Sequence, residues 1–352
     1  MYSPSAANPL TPIQAVPAPY LSNQLPAHES PLRHKIKSMP LARRLLVKLS
    51  ENRWLRANGP HFSFVRAASS RFLPGEHVED ALRAAESLNA AGITTLLTQL
   101  GENITERSEA EAVVAHYFDL LDRIRAANLP TEVSVKLTQL GLDLDREFCS
   151  ANLTKLIERA AATSPAAYKT LWIDIEQSAY APATFEIYAQ ARKTYSNVGV
   201  AVQAYLHRSE KDVAALVAMG AAVRLVKGAY SEPPEIAFAE KKDVDENYFR
   251  LAQALLSPEA RQKGVRAVLA THDGVLINRL TSWAAAQSIP RSELEFAMLY
   301  GIQRAEQLRL AREGYRSDVL VSYGAFWFPW FMRRLAERPA NVWFLLRNLV
   351  SR

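Results

Sequence analysis

Charged side chains interrupt several short apolar, β-branched runs of this sequence. Lys136, Asp174, Arg224 and Lys227 lie within such runs, and Thr271-His272-Asp273 ends another. A charge inside a strand must be paired or must face the mouth of the fold. Lys136 and Asp174 stand on adjacent predicted strands, so they could pair, either within a reactive site or only to fix the strand register. Such groups, brought together, are those that bind and activate a small ligand.

Two further strand ends carry a weaker signal. Lys227-Gly228 indicates close approach of the backbone to a ligand, or a simple turn. His272 fits a base or a structural histidine equally well. His207 and His272 are single ligands at best, so we predict no metal site. The sequence contains one cysteine, Cys149, which excludes an intramolecular disulfide and favours a packing role.

A pair of arginines follows the aromatic segment 326–332 near the C-terminus. Arg333 and Arg334 share a helix face with Trp330 and Glu337 at helical spacing. Two neighbouring guanidinium groups could clamp a small carboxylate through charge-assisted hydrogen bonds. The alternative is a surface pair bound to Glu337.

The elements that must position these residues begin at residue 93. Eight apolar runs alternate with helix-like stretches such as Glu109–Ala127 and Ser209–Met219. Eight strand–helix units in a row predict an α/β fold, a (β/α)8 barrel over residues 93–352, with a doubly wound sheet as the alternative. No Gly-x-Gly-x-x-Gly follows the early strands, so a Rossmann nucleotide site is not indicated. The predicted strands are Ile93–Leu100, Glu132–Thr138, Thr170–Glu176, Val198–Tyr205, Ala222–Tyr230, Arg266–Asp273, Leu294–Gly301 and Asp318–Gly324.

The basic charge of the chain lies before the barrel. The net charge is +6, yet residues 32–71 carry ten Lys or Arg and one acid. The predicted barrel therefore lacks a basic face, and we expect no nucleic-acid partner. Residues 1–31 are proline-rich and predicted to be disordered, and residues 32–92 are predicted to contain a basic helical arm and the helices that precede the barrel. Residues 39–56 are predicted to form an amphipathic helix that either packs on the barrel or contacts anionic lipid. Without a secretory signal or a membrane span, we expect a cytoplasmic protein.

Several stretches, in this order, resemble the proline dehydrogenase family over about residues 70–350. They are Phe72-Leu73-Pro74-Gly75-Glu76, Val135-Lys136-Leu137-Thr138-Gln139-Leu140-Gly141, Asp174-Ile175-Glu176, Gln203-Ala204-Tyr205-Leu206, Arg224-Leu225-Val226-Lys227-Gly228-Ala229-Tyr230, Ala270-Thr271-His272-Asp273, Met298-Leu299-Tyr300-Gly301 and Phe331-Met332-Arg333-Arg334-Leu335-Ala336-Glu337-Arg338-Pro339. Any one stretch is weak evidence, but together, in register with eight strands, they are specific.

The resemblance implies a barrel that binds FAD, oxidises L-proline to Δ1-pyrroline-5-carboxylate and passes electrons to a membrane quinone. Arg333 and Arg334 would bind the substrate carboxylate, and Lys136 and Asp174 would flank substrate and flavin as a pair. Arg224 would hydrogen-bond near the flavin N5. The resemblance implies that the cofactor is also bound by Ile175, Gln203, Lys227, Gly228, Ala229, Thr271 and His272. It implies that the substrate is also bound by Leu299, Tyr323 and Trp330.

The match breaks around the substrate ring. Leu320 and Trp330 stand where the family usually has tyrosines, Ala297 where glutamine is common, and Ser322 where proline is common. These departures leave a dehydrogenase of hydroxyproline or of another cyclic or N-substituted amino acid open. A cofactor-free lyase using Lys136 as a Schiff base, or a non-catalytic binding module driven by the basic arm, are the more distant alternatives.

Overall fold

Eight parallel strands close into a barrel, with β1 paired to β8 and every other strand paired to its neighbour in sequence. The structure, a computed structural model, describes Val65 and residues 69–101, 104–163 and 169–337. Side chains are described as far as Met332, except that of Thr163. All of these residues belong to one compact unit, Met39–Arg352. The closed sheet excludes the doubly wound alternative and confirms the predicted (β/α)8 barrel.

The strands are short: they begin within two residues of the predicted runs, and each ends before its predicted run does. They are β1 Thr94–Gln99, β2 Thr131–Val135, β3 Leu171–Ile173, β4 Val198–Gln203, β5 Ala222–Val226, β6 Arg266–Ala270, β7 Glu295–Leu299 and β8 Arg316–Tyr323. Most of the charged residues singled out in the sequence therefore follow their strands. Arg224 is the exception, because it lies in the middle of β5.

Helices alternate with the strands around the outside of the barrel. They are α1 Val78–Asn89, α2 Arg107–Ala126, α3 Arg146–Thr163, α4 Ala181–Arg192, α5 Ser209–Ala218, α6 Lys241–Leu255, α7 Pro258–Gln262, α8 Gly274–Ala286, α9 Arg304–Arg312 and α10 Trp327–Glu337. Helix α5 begins at Ser209, and no side chain caps its N-terminus. The Ser209 hydroxyl donates to the Gln203 carbonyl at 2.5 Å, and Asp212 pairs with Arg208.

Two apolar layers hold the strands in place. Outward-facing residues such as Leu97, Val133 and Val200 pack under the helices in one large core, which also buries Cys149. Inward-facing Leu96, Trp172, Val268 and Ala297 form a separate, smaller cluster inside the barrel. Burial on both faces explains why the strands are nearly continuous apolar runs in the sequence. The four residues of this inner cluster also line a cavity inside the barrel.

Helix α10 closes the described fold against the segment that precedes α1. Its aromatic residues Trp327, Phe328 and Phe331 pack with Phe72 and other apolar residues of that segment in a third cluster. The Trp327 indole N–H also donates to Glu76 Oε1 at 2.8 Å. The aromatic segment before the arginine pair is therefore a packing element that holds the start of α10. The residues of the predicted disordered lead-in and amphipathic helix lie outside the described residues.

Candidate active site

A cavity of about 460 Å³ opens at the carboxyl ends of the strands and reaches into the barrel. It gathers side chains that are far apart in the sequence because parallel strands all end on the same face. Twelve of the predicted site residues line it: Lys136, Asp174, Ile175, Gln203, Arg224, Lys227, Gly228, Ala229, Thr271, His272, Leu299 and Trp330. Arg333 and Arg334 lie on α10, three and four residues after Trp330, and their side chains are not described.

The centre of the site is a buried ion pair between Arg224 and Asp174. Arg224 Nη2 donates to Asp174 Oδ1, and the arginine is only 4% exposed. The Ser134 hydroxyl joins the pair, donating to Asp174 Oδ1 at 2.6 Å and accepting from Arg224 Nη2 at 3.0 Å. Among the described residues, the other terminal nitrogen, Nη1, has no partner. A buried guanidinium with a free donor, lining a cavity, is suited to bind a ligand acceptor.

Trp172 forms a floor beneath this ion pair. Its ring lies between two guanidinium groups, 5.4 Å from that of Arg224 and 5.3 Å from that of Arg266. The indole N–H donates to Glu132 Oε2 at 2.6 Å, and Glu132 pairs with Arg266 at 2.7 Å. Arg266 also pairs with Glu295 at 2.5 Å. The deeper ion pairs thereby fix the ring on which Arg224 rests.

Lys136 does not form the predicted pair with Asp174. No ion pair of Lys136 is found in the described part of the chain, whereas Asp174 is taken by Arg224 and Ser134. The lysine lines the cavity, and its charge acts on Glu176, which accepts from the Thr138 hydroxyl at 2.7 Å. Burial raises the pKa of Glu176, although Thr138 and Lys136 oppose the rise. Arg224 and Ser134 both bond Asp174 Oδ1, so the charge of this carboxylate is already compensated inside the barrel.

Unsatisfied polar atoms and a close backbone approach mark one side of the cavity. Gln203 is 2% exposed; its amide N–H donates to the Glu176 carbonyl at 3.2 Å, while Oε1 has no described partner. Gly228 has φ of 118°, and a Cβ there would lie 2.2 Å from the Tyr205 ring. Only glycine therefore fits at this strand end, where the Tyr205 ring packs against the backbone. With Arg224 Nη1, these groups fit a bound cofactor that offers both donors and acceptors.

His272 connects two strands at the rim of the site. Its Nε2 accepts from the Leu299 backbone N–H at 2.9 Å. An accepting Nε2 places the ring proton on Nδ1, so the imidazole is neutral in this arrangement. The contact fixes Leu299, which also lines the cavity. His272 thus has a structural role in this geometry, whatever else it binds.

Lys227 belongs to a four-membered cluster of charges at the mouth of the cavity. Its Nζ bonds Asp245 at 2.5 Å and Asp273 at 2.9 Å. Lys241 contacts the same two carboxylates. Burial works to raise the pKa of Asp273, but the two lysines outweigh it and hold that pKa well below its ordinary value. The sequence analysis missed Lys241 and Asp245, although their i, i+4 spacing at the start of α6 was a usable signal.

Tyr323 was predicted to contact substrate, and the structure contradicts this. Its side chain is packed in the outer core between the barrel and α2, where its hydroxyl lies 2.8 Å from His116 Nε2. Side chains alternate along a strand, so Ser322 and Leu320 face the cavity and Tyr323 does not. Burial lowers the pKa of His116, which therefore stays neutral beside the tyrosine near neutral pH.

The residues that depart from the family pattern line the deeper cavity. Ala297, Leu320, Ser322 and Trp330 all contribute to its wall, and so does Asp318, which the sequence analysis missed. Asp318 interrupts an apolar strand just as Lys136 and Asp174 do, so the same reasoning would have found it. Burial and the nearby charge of Glu295 raise the pKa of Asp318 well above its ordinary value. The raised pKa favours the protonated, neutral form of Asp318.

A closed parallel barrel with a charged cavity at the strand ends is the architecture of the (β/α)8-barrel enzymes. The sequence model of the proline dehydrogenase family matches residues 81–347. The chain therefore belongs to the proline dehydrogenase family.

Full-length relatives and solved structures agree with this assignment. Proline dehydrogenase 1 of Bacillus subtilis strain 168 is 34% identical over 312 residues, which are 89% of this chain and all of the relative. Proline dehydrogenase of Deinococcus radiodurans is 34% identical over 285 residues, 80% of this chain and 90% of its own. The structure of proline utilization A from Bdellovibrio bacteriovorus has a TM-score of 0.71 at 24% identity, which supports the fold. It aligns with 78% of this chain, which spans only 33% of that longer protein.

The described residues contain neither a membrane-spanning helix nor a cluster of metal ligands. None of the described helices is long and apolar enough to cross a membrane. No group of three or more His, Cys, Asp or Glu in the described ranges is arranged to hold a metal ion.

Proposed function

We propose that this protein is an FAD-dependent enzyme that oxidises L-proline to Δ1-pyrroline-5-carboxylate and passes the electrons to a quinone. The observation that carries the proposal is the buried guanidinium of Arg224, which lines the cavity with one unpartnered donor in a chain of the proline dehydrogenase family. A flavin, when bound, accepts the hydrogen and two electrons from the carbon next to the substrate nitrogen.

The flavin would be held on the side of the cavity where polar atoms are left over. Gln203 Oε1 offers an acceptor and Arg224 Nη1 a donor, and both are buried. Gly228 and Ala229 line the cavity at the end of β5, and Ile175, Thr271 and His272 line the same cavity. Lys227 would meet the anionic part of the cofactor only where its bonds to Asp245 and Asp273 rearrange.

The substrate amine would lie toward Lys136. An amine must lose its proton before its lone pair can support the forming C=N bond. A nearby cation lowers the pKa of that amine, because a second positive charge is disfavoured. Lys136 lines the cavity with no ion pair among the described residues, so its charge is not cancelled there. Arg333 and Arg334 would bind the carboxylate, as their sequence positions predict.

Releasing the cofactor tests the proposal directly. The purified protein should show a flavin absorption band, and heat or acid denaturation should release FAD, identified by chromatography. Steady-state assays with proline and an artificial electron acceptor should show turnover, and trapping of the cyclic imine should identify the product. A colourless protein that cleaves or condenses a substrate would support the Lys136 lyase instead.

A second substrate class is favoured by the deeper cavity wall. Leu320 is half-buried beside Ala297, and both are smaller than the side chains that the family usually places there. Ring-substituted or N-substituted analogues such as 4-hydroxyproline would find room that a tyrosine would fill. An apolar pocket discriminates one small group by only about 1–3 kcal/mol, so we expect proline to remain a substrate.

The basic arm is proposed to meet the membrane that holds the quinone. Residues 32–56 lie outside the described residues, so the proposal depends on their charge and amphipathic pattern. Attraction to anionic lipid is worth about 1 kcal/mol per basic residue and is screened by salt. A cytoplasmic enzyme of this kind should sediment with anionic liposomes at low salt, and a chain that starts near residue 70 should not. Equal sedimentation of both chains would contradict the proposal.

A further inference from the structure

Ser134 has no assigned role, yet it touches both members of the central ion pair. It lies on β2 with 0% exposure, and its hydroxyl donates to Asp174 Oδ1 at 2.6 Å. The same oxygen accepts from Arg224 Nη2 at 3.0 Å. The Trp172 carbonyl, at 3.4 Å, is a longer alternative acceptor for the hydroxyl proton. Ser134, Asp174 and Arg224 thus come from β2, β3 and β5 and meet inside the barrel.

Two acceptors meet a single guanidinium nitrogen in this triangle. Nη2 carries two N–H groups, and it has two acceptors, Asp174 Oδ1 and Ser134 Oγ. A guanidinium is planar, so two bonds from Nη2 fix the plane of the whole group and the direction of Nη1. The Trp172 ring supports the group at 5.4 Å. With Asp174 as the only acceptor, the guanidinium could rotate about a single hydrogen bond.

We propose that Ser134 is a positioning residue for the oxidation: its hydroxyl orients Arg224 so that Nη1 meets the bound flavin. The inference rests on the proposed flavin chemistry. The flavin ring gains negative charge on reduction, and a preorganised donor stabilises that charge most when it needs no reorganisation. Loss of the hydroxyl leaves Nη2 with one acceptor in place of two and removes one of the two donors to Asp174 Oδ1. The guanidinium can then rotate, and it must lose this rotational freedom before Nη1 can stabilise the reduced flavin.

Three variants of the flavin-loaded full chain test this role. Ser134→Ala removes the hydroxyl, and Ser134→Cys keeps the volume with only a weak donor. Ser134→Thr restores the hydroxyl. Ser317→Ala is the matched control, because Ser317 is also a buried serine on a strand, whereas the central ion pair is bonded to Ser134. Flavin content and thermal midpoint are measured first, followed by the flavin midpoint potential, kcat and KM for proline.

In Ser134→Ala we expect the preference of the protein for reduced over oxidised flavin to fall tenfold. This corresponds to a flavin midpoint potential that is lower by about 30 mV. We expect kcat to fall about tenfold with KM within twofold of the wild type, Cys to behave like Ala, and Thr to restore both potential and kcat. A merely structural serine would lower the thermal midpoint without moving the potential. An unchanged potential in both Ala and Cys variants, or an equal shift in Ser317→Ala, would overturn the inference. A wild type that holds no flavin would instead overturn the proposed function.

Discussion

Asp174 and Arg224 form an ion pair across the strand that separates them. Asp174 follows β3, Arg224 lies in β5, and β4 runs between these two strands. The pair is possible because the β4 residue opposite Arg224 is Ala201, whose small side chain also lines the cavity. The pair therefore ties three strands together while it holds a guanidinium at the reactive end of the barrel.

Asp174→Ala should destabilise the protein and impair catalysis. Arg224 would lose its charged partner while buried, and removing one member of a buried pair costs about 3–5 kcal/mol. Chemical unfolding and kcat with proline are the measurements. Asp174→Asn keeps an acceptor oxygen, so we expect it to recover part of the stability but less of the activity. Wild-type stability in the Ala variant would show that the pair contributes nothing.

Arg333→Ala and Arg334→Ala should each raise KM for proline while the flavin stays bound. Each loses a charge-assisted contact worth about 1.5–3 kcal/mol, and the two effects should not add, because both arginines bind one carboxylate. Steady-state kinetics measure KM for proline, and flavin absorbance measures how much flavin stays bound. Arg312→Ala, at an exposed position on α9, is the control. Unchanged KM in both variants would identify the arginines as a surface pair.

Leu320→Tyr combined with Trp330→Tyr should lower KM for proline and reduce turnover of 4-hydroxyproline. The added ring at 320 fills space beside Ala297, and the smaller ring at 330 opens space beside α10. The measurement is the ratio of kcat/KM for the two substrates in wild type, each single variant and the double variant. A ratio that does not change in the double variant would show that these positions do not set specificity.

Asp318→Asn should leave stability unchanged or raise it at neutral pH. Because the folded-state pKa of Asp318 is raised, the unfolded chain ionises this group above its ordinary pKa of 3.8 while the folded chain keeps the proton. The free energy of unfolding therefore falls as the pH rises from 3.8 toward the folded-state pKa. The advantage of Asn over Asp should grow by about 1.4 kcal/mol per pH unit within that window. The measurement is the free energy of unfolding of both proteins at several pH values. A difference between Asn and Asp that does not change with pH would contradict the raised pKa of Asp318.

Glu295→Gln should have the opposite effect. Burial tends to raise the pKa of Glu295, but Asp318, Arg266 and Arg316 together lower it to about 2. Its contribution to stability is therefore present above 4.5 and lost as pH falls from 4.5 toward 2. The Gln variant should lose about 3–5 kcal/mol at neutral pH, because Arg266 loses a buried partner. A loss that persists unchanged at low pH would argue for packing instead of charge.

The sequence predicted the barrel because its eight apolar runs are buried on both faces, and their spacing leaves room only for helices. The cavity residues at strand ends followed from the same topology. Pairings across the barrel could not be predicted, because they depend on which strand lies between two others and how small its side chain is. Lys136 was therefore paired with Asp174, and Arg224 was missed as its partner. Tyr323 was placed on the wrong face because the family pattern names a residue and not the direction of its side chain.

The seam of the barrel joins the first and last strands of the fold. Thr94 on β1 donates to the Ser317 carbonyl on β8 at 3.2 Å, across 223 residues of chain. During synthesis on the ribosome, β1 therefore has no partner on this edge until β8 has been translated, because Ser317 follows Thr94 by 223 residues. An unpaired edge of apolar strand is a site for association with other chains. The slow, long-range closure predicts that nascent fragments lacking β8 need chaperones, although the finished enzyme exposes no open edge.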